Sequence, residues 1–356
     1  MSARKELRLA KYPKGHRLYS TEFLRQKRIR RKHRRQDAFR KRALETFCDE
    51  QLVHAPAIMA LMTPRDHAKV CAFLKRVRQA ATQGVVNIDF SNVLEMKANA
   101  AVLLYATIDT IKSTQGVRFR LHRGGCPQQV YKLLLNSGLL ALSSNHSDPI
   151  PEREIPIRAG DSTEAGQKVW NDIVDFILDR MGEFTTEEEI ALSNAVSEAV
   201  LNVRHHAYPE LSNEPDQMRW WIIADFIDDQ LFLAILDKGV GIHETLPHQE
   251  WWRNAIQETG VSIKGLTGGS HSAWIGASFI EGKTRTRQDE RGLGGKTIRE
   301  LVRQNSDGEL HVLSGKGIYI SDGDSVLFQK DSSFSIKGTL VQWNIRLKND
   351  QNNQSS

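Results

Sequence analysis

The run Glu198-Ala-Val-Leu-Asn202-Val-Arg-His205-His206-Ala-Tyr208 decides how the C-terminal half of this chain is read. It closes a segment, Thr186 to Tyr208, whose pattern predicts one helix. Thr185 and Thr186 each have a Glu three residues on, Glu188 and Glu189, a doubled capping-box signature. Ala191, Ala195, Ala199 and Val203 recur every four residues, with Leu192 and Val196 beside them, as a buried stripe does. On a second face Asn194, Glu198, Asn202 and His206 also recur every four, so they lie one above another along the helix. A carboxylate and an amide one turn apart can hold a divalent cation, and the Glu can polarise a hydroxyl or water. An ordinary amphipathic helix has the same periodicity, and the downstream motifs decide between the two.

With 356 residues the chain is long enough for two domains with real cores. Its most apolar run, 98–108, is about half of what crosses a bilayer, so no transmembrane segment is expected. The N-terminus is charged and has no apolar signal segment, which predicts a cytoplasmic protein. Cys48, Cys71 and Cys126 are odd in number and lack metal-ligand spacing, as plain thiols in a reducing compartment would.

The net charge of +6 hides an asymmetry. Residues 1–42 carry 17 Lys/Arg against 3 Asp/Glu, while the remainder carries 32 against 40. The basic arm, 1–50, peaks at Lys27, Arg28, Arg30, Arg31, Lys32, Arg34 and Arg35. Only Ala38 is apolar between Ile29 and Phe39, so this segment has no face to bury and is either a solvated helix or disordered. RNA or DNA phosphate is the partner such a run would meet, ahead of an anionic membrane or an acidic protein. A role in solubility or spacing fits it too.

Residues 51–142 alternate short strands with helices, which predicts a mainly parallel sheet with covering helices. Strands are expected at Ala57–Leu61, Val85–Phe90 and Val117–Leu121, and helices at 64–83, 98–114 and 127–136. Ile88-Asp-Phe-Ser91, the apolar helix, Val117–Leu121 and Val130-Tyr-Lys-Leu-Leu-Leu-Asn-Ser-Gly-Leu139 resemble a STAS domain, the fold of anti-sigma-factor antagonists. In regulatory members a phosphorylatable hydroxyl opens the helix after the second core strand. Here that place falls in Glu95-Met-Lys-Ala-Asn-Ala100, which has none, so the resemblance implies a copy that is not switched there.

Residues 143–162 read as a linker rich in Ser, Pro and charge. Beyond it come an apolar-striped helix, the opening stretch and two strands, with Asp228-Asp229 as a plausible hairpin turn between them. The second strand runs into Asp237-Lys-Gly239-Val-Gly241. A carboxylate at a strand end can accept from an exocyclic amine, and Gly lets backbone approach a flat base. Residues 242–290 lose periodicity and are glycine-rich, as a lid would be, with Trp251-Trp252 as packing. The lid ends at Gly292-Leu-Gly294-Gly295, just before a helix over 298–304, where free backbone N–H groups and the helix dipole suit phosphate. Strands are expected at 309–314, 317–321, 325–329 and 339–347, the last opened by Gly338-Thr339, with a disordered tail at 349–356.

Taken in order, Glu198…Asn202, Asp237-x-Gly239-x-Gly241, Gly292-x-Gly294 and Gly338-Thr339 resemble the GHKL ATPases: gyrase, the heat-shock chaperone, the mismatch-repair protein and the histidine kinases. The His206-Ala-Tyr208 ending is most similar to the anti-sigma-factor serine kinases. The resemblance implies a Bergerat α/β sandwich over 163–348, with helices on one face of a mixed sheet. It implies ATP and Mg²⁺ as ligands, with Asn202 holding the metal near Glu198 as general base. Asp237 would bind the adenine amine, Thr339 would act beside it through water, and Gly292 and Gly294 would cradle phosphates. The expected class is therefore α/β and α+β, comprising the arm, a STAS-like domain and an ATP-binding domain. The expected activity is that of an ATPase or serine/threonine protein kinase in bacterial regulation, acting on a protein partner. The alternative is an ATP-gated module that binds protein or nucleic acid with little or no turnover.

Overall fold

The computed structural model describes residues 52–346 apart from 147–148, 152–154, 182–184, 212, 228–229, 250–268, 280–293 and 306. The basic arm, the Asp228-Asp229 turn, Trp251-Trp252, Gly292 and the tail therefore lie outside the described residues. Val53–Ser356 forms one compact unit. The molecule is a mixed α/β protein: the stretch before residue 150 builds a three-stranded sheet and a two-stranded one, and the stretch after it builds a seven-stranded sheet.

The first half holds β1 (Leu52–His54), β2 (Ile58–Met59), α1 (Pro64–Ala81), β3 (Val86–Asp89), β4 (Glu95–Met96), α2 (Ala98–Gln115), β5 (Phe119–His122) and α3 (Gln128–Asn136). Three strands are ordered β1-β3-β5, with β3 and β5 parallel, and β2 and β4 form a second, parallel pair. The Thr63 hydroxyl caps α1 by accepting from Asp66 N at 3.1 Å, and Pro64 occupies the first turn, where its missing N–H costs nothing. Val70, Phe73, Leu74 and Val77 are buried, as their helical spacing predicts.

The second half holds β6 (Arg158–Gly160), α4 (Glu164–Met181), α5 (Thr186–Asn202), β7 (Trp220–Ile227), β8 (Gln230–Asp237), α6 (Ile242–Thr245), α7 (His271–Ser278), α8 (Gly294–Arg303), β9 (Glu309–Ser314), β10 (Gly317–Ser321), β11 (Val326–Asp331) and β12 (Thr339–Arg346). The sheet runs β11-β10-β9-β12-β8-β7-β6. All six pairings are antiparallel, which corrects the expected mixed sheet. Connectivity accounts for three of them: β7 and β8, β9 and β10, and β10 and β11 follow one another in the chain within a few residues, and so short a connection permits only antiparallel neighbours.

Alternation along these strands separates two cores. Trp220, Ile222, Leu233, Ile235, Leu310, Val312 and Trp343 face α4, α5 and α8. Trp221, Ile223, Ala234, Leu236, Leu313 and Leu340 face the other way and join the core of the first half. That second face explains α2, whose residues from Ala98 to Ile108 are buried almost without interruption. A helix apolar all round needs cover on every side, and α2 packs against α1 and α3 of its own half and against β7 and β8.

Further expectations are corrected. The predicted helix 186–208 is α-helical only to Asn202 and continues as a π-helical turn, Val203–Ala207. Of the two overlapping capping boxes the Thr185–Glu188 one forms, with Thr185 N donating to Glu188 Oε2 at 3.0 Å. The region read as lid contains α6 and α7, the latter capped by Ser270, whose hydroxyl accepts from Ala273 N at 3.3 Å. Its apolar residues Trp274 and Ile275 lie among glycines and hydroxyls, so a periodicity test passes over so short a helix. The end of the expected linker supplies β6, the edge strand beside β7. Among the described residues no helix is long and apolar enough to cross a membrane.

Candidate functional site

On the face of the sheet that the helices cover, the end of α5 and the turn after it lie against both the C-terminal end of β8, through Ala207, and the start of α8, through Glu198. Asp237 is the last residue of β8 and is 7% exposed. Its Oδ1 accepts from Gly239 N at 2.7 Å, and Thr339 N also donates to the carboxylate. Burial outweighs these bonds and pushes its pKa up to about 7.

Glycine at two motif positions, Gly239 and Gly338, is dictated by neighbouring backbone, while at Gly294 it leaves room for a side chain. A Cβ at Gly239 would overlap the carbonyl of Ala207 in the π-helical turn, and Val240 N donates to that carbonyl at 2.9 Å. At Gly338, where φ is +86°, a Cβ would overlap the Asp237 carbonyl. At Gly294, in the first turn of α8, a Cβ would overlap the Glu198 carboxylate.

Glu198 and Asn202 thus come together with Gly294. The Asn202 side chain hydrogen-bonds the Glu198 carboxylate, and burial as the larger effect raises the Glu198 pKa. His206, the fourth member of the predicted stack, falls in the π-helical turn, whose wider spacing takes it out of the four-residue register. Among the described residues no group of three or more His, Cys, Asp or Glu could hold a metal. The donor set at this place, one amide and one carboxylate, fits Mg²⁺ only as part of a shell completed by phosphate and water, the usual habit of that ion.

Thr339 sits at the other end with Asp237. It pairs in register with Ser314, their hydroxyls are 3.0 Å apart, and Ser314 Oγ also accepts from Ile242 N at 2.9 Å. Gly241, with φ +93°, passes close to the same hydroxyl. The two ends are joined through Ala207, which belongs to the turn after α5 and touches Gly239.

Sequence reasoning missed Ser314, Lys238 and the His243–His271 pair. Ser314 gives no signal without strand register. Lys238 lies inside the motif but at its unspecified position. The His243 and His271 rings lie with centroids 3.8 Å apart and their planes tilted by 35°, and Lys316 N donates to His271 Nδ1 at 3.2 Å. Burial lowers the pKa of both rings, and each carboxylate nearby, Glu244 and Asp331, opposes that.

Comparison with known proteins finds no family model that matches this chain and no curated protein similar to it. The arrangement itself has to carry the functional reading.

Proposed function

We propose that residues 163–348 form a Mg-ATP-binding domain of GHKL type and that residues 51–142 form a STAS-like domain packed behind it. The observation that carries this is Asp237. A carboxylate buried at a strand end still costs the fold stability although Gly239 N and Thr339 N donate to it, because desolvation outweighs those two bonds, and a further donor from a ligand would offset that cost. The exocyclic amine of adenine is such a donor, and the hydroxyls of Thr339 and Ser314 lie beside it for a bridging water.

At the other end Asn202 would hold Mg²⁺ and the start of α8 would face phosphate, both with the carboxylate of Glu198 beside them. ATP supplies a transferable phosphoryl group. Glu198 accepts the proton from the attacking hydroxyl or water, and its burial-raised pKa makes it a better base than a free carboxylate. The activity is that of an ATPase or a serine/threonine protein kinase acting on a protein partner in bacterial regulation. The basic arm with Lys27, Arg28, Arg30, Arg31, Lys32, Arg34 and Arg35 would add affinity for nucleic acid.

The STAS-like half is a docking or structural element in this reading. Its helix α2 starts behind Lys97, which makes no side-chain cap and instead pairs with Glu95 at 2.9 Å. No hydroxyl stands where regulatory members are phosphorylated. A second reading, an ATP-gated binding module, draws on the bond between Glu198 and Asn202, which occupies the base. Incubation with γ-labelled ATP and Mg²⁺ separates the readings. Label in phosphate or in a co-purified protein supports turnover, while ATP-dependent thermal stabilisation without label transfer supports the gate. Absence of both removes the ATP site.

A further inference from the structure

Lys238 stands between the two motif residues Asp237 and Gly239 and turns to the opposite face of the sheet. Its backbone N donates to Tyr208 Oη at 3.0 Å, and that hydroxyl donates to Arg219 O at 2.6 Å. Its ammonium crosses to α2, donating to Ala106 O at 2.8 Å and Thr110 Oγ1 at 3.2 Å. One turn away on α2, Asp109 Oδ2 accepts from Arg219 Nη2 at 2.7 Å and Trp221 Nε1 at 2.9 Å. The peptide units around the Asp237 carboxylate are thus gripped from both faces. The tail of α5 holds one side and α2 of the STAS-like half holds the other.

A lysine is a costly anchor here. Burial drives its pKa down to about 7, and an apolar side chain of the same length would fill the space without that penalty. What the ammonium provides is reach and direction: it ties one loop to one helix carbonyl. Asp109 and Arg219, both within the same cluster, orient the surrounding helix and strand. Any shift of α2 along the sheet would have to drag Lys238, and Asp237 with it.

We propose that Lys238 is a positioning residue that makes the nucleotide site answer to α2, so that the STAS-like half and the ATP site are energetically coupled. The inference rests on the ATP reading above. Coupling is reciprocal: a partner that moves α2 alters nucleotide affinity, and nucleotide alters α2.

The test uses the full chain and two variants, Lys238→Met and Thr110→Val. ADP titration by calorimetry gives affinity, thermal unfolding without nucleotide gives stability, and hydrogen exchange over residues 106–115 reads α2 with and without ADP. Lys238→Met is expected to weaken ADP binding at least about 5-fold, within the usual range of coupling, while its ligand-free midpoint stays level or rises. In wild type ADP should slow exchange in α2, and in Lys238→Met that protection should vanish. Thr110→Val removes one acceptor, keeps the buried amine partnered by Ala106 O, and should show a smaller loss of the same kind. Wild-type affinity in folded Lys238→Met, or α2 exchange indifferent to ADP in wild type, overturns the proposal and leaves the ATP site standing. Should Lys238→Met not fold, wild-type affinity and protection in Thr110→Val overturn it equally. A wild-type protein that takes up no ADP refutes the ATP reading itself, and this is seen before any variant is made.

Discussion

The two ends of the candidate site are built on different terms. At the Asp237 end Asp237, Gly239 and Ser314 are buried, and the groups are already bonded to one another: Asp237 to Gly239, Ser314 to the partly buried Thr339 and Ile242. At the Glu198 end the side chains are half-buried, with Asn202 hydrogen-bonded to Glu198, and the Glu198 carboxylate lies against Gly294 in the first turn of α8. The first arrangement is fixed before any ligand arrives, which suits recognition of a flat base by one direction of hydrogen bonding. The second leaves donors and a carboxylate free to change partners, which suits a step in which charge moves. Recognition and chemistry should therefore separate cleanly under mutation.

The largest effect is expected at the chemical end. Glu198→Ala should lower turnover by about 10²–10⁴-fold, the usual worth of general-base assistance, with ATP affinity within a few-fold of wild type. Steady-state phosphate release together with calorimetry decides it. Equal turnover in a folded variant removes Glu198 from the mechanism, and a joint fall of affinity and stability makes it structural.

Asp237→Asn comes next and should act in opposite directions on binding and stability. Loss of a charge-assisted acceptor, with an amide donor set against the base amine, should cost about 2–4 kcal/mol of nucleotide affinity. Without ligand the same change should stabilise the protein. The folded pKa of about 7 lies above the ordinary 3.8, so ionising Asp237 destabilises the fold as pH rises from 3.8 through about 7. Above pH 7 the gain in the variant is bounded by roughly 4 kcal/mol. Wild-type nucleotide binding should in turn weaken about tenfold per pH unit below about 7, as the acceptor gains its proton. A variant that loses both stability and affinity would mean that the carboxylate serves the fold.

Sequence made one end of this site more legible than the other, for physical reasons. Asp237, Gly239, Gly241 and Thr339 could be named because strand ends and glycines leave local marks. Yet two of the glycines owe their place to backbone contacts no spacing rule contains: Gly239 against Ala207 and Gly338 against Asp237. The capping box at Thr185 and the buried stripe of α5 were readable because both are periodic and local. The π-helical turn was not, since one extra residue per turn leaves the composition of a helix unchanged. Lys238 and Ser314 depend on partners over 70 or more residues away, which only the assembled sheet supplies. The antiparallel sheet, too, depends on which strands become neighbours and not on any strand's own residues.

A contrast with the dry core behind the site gives a third, global measurement. His67 is fully buried in α1, its Nδ1 lies 3.6 Å from Cys71 Sγ, and burial lowers its pKa to about 4. Its folded pKa lies below the ordinary 6.5, so its contribution is intact above pH 6.5 and is lost as pH falls toward 4, at most about 3 kcal/mol. Denaturant midpoints at pH 7 and pH 5 for wild type and His67→Gln should differ in that direction, with a flatter profile in the variant. Since this group is remote from Asp237 and Glu198, its titration should move stability and leave the nucleotide profile alone. Identical pH profiles for the two proteins would show that His67 is not the group responsible.

Ser314→Ala should give the smallest change and the finest test of the division between ends. The hydroxyl contacts neither carboxylate. It supports Thr339 and takes the N–H of Ile242, just past the motif glycine Gly241. Its removal costs the hydrogen bonds with Ile242 N and Thr339 Oγ1, each worth about 0.5–1.5 kcal/mol to the fold, and the part felt by the nucleotide should appear as a few-fold rise in KM for ATP with kcat unchanged. The Glu198 variant should show the opposite split, with kcat reduced and KM nearly constant. Since the two groups sit on separate elements and share no partner, the double variant should show the product of the two effects within about 0.5 kcal/mol. A fall in kcat for Ser314→Ala, or a marked departure from additivity, would mean that the Asp237 end also sets the geometry at Glu198. The two ends would then have to be treated as one cooperative unit, joined through Ala207 and the turn after α5.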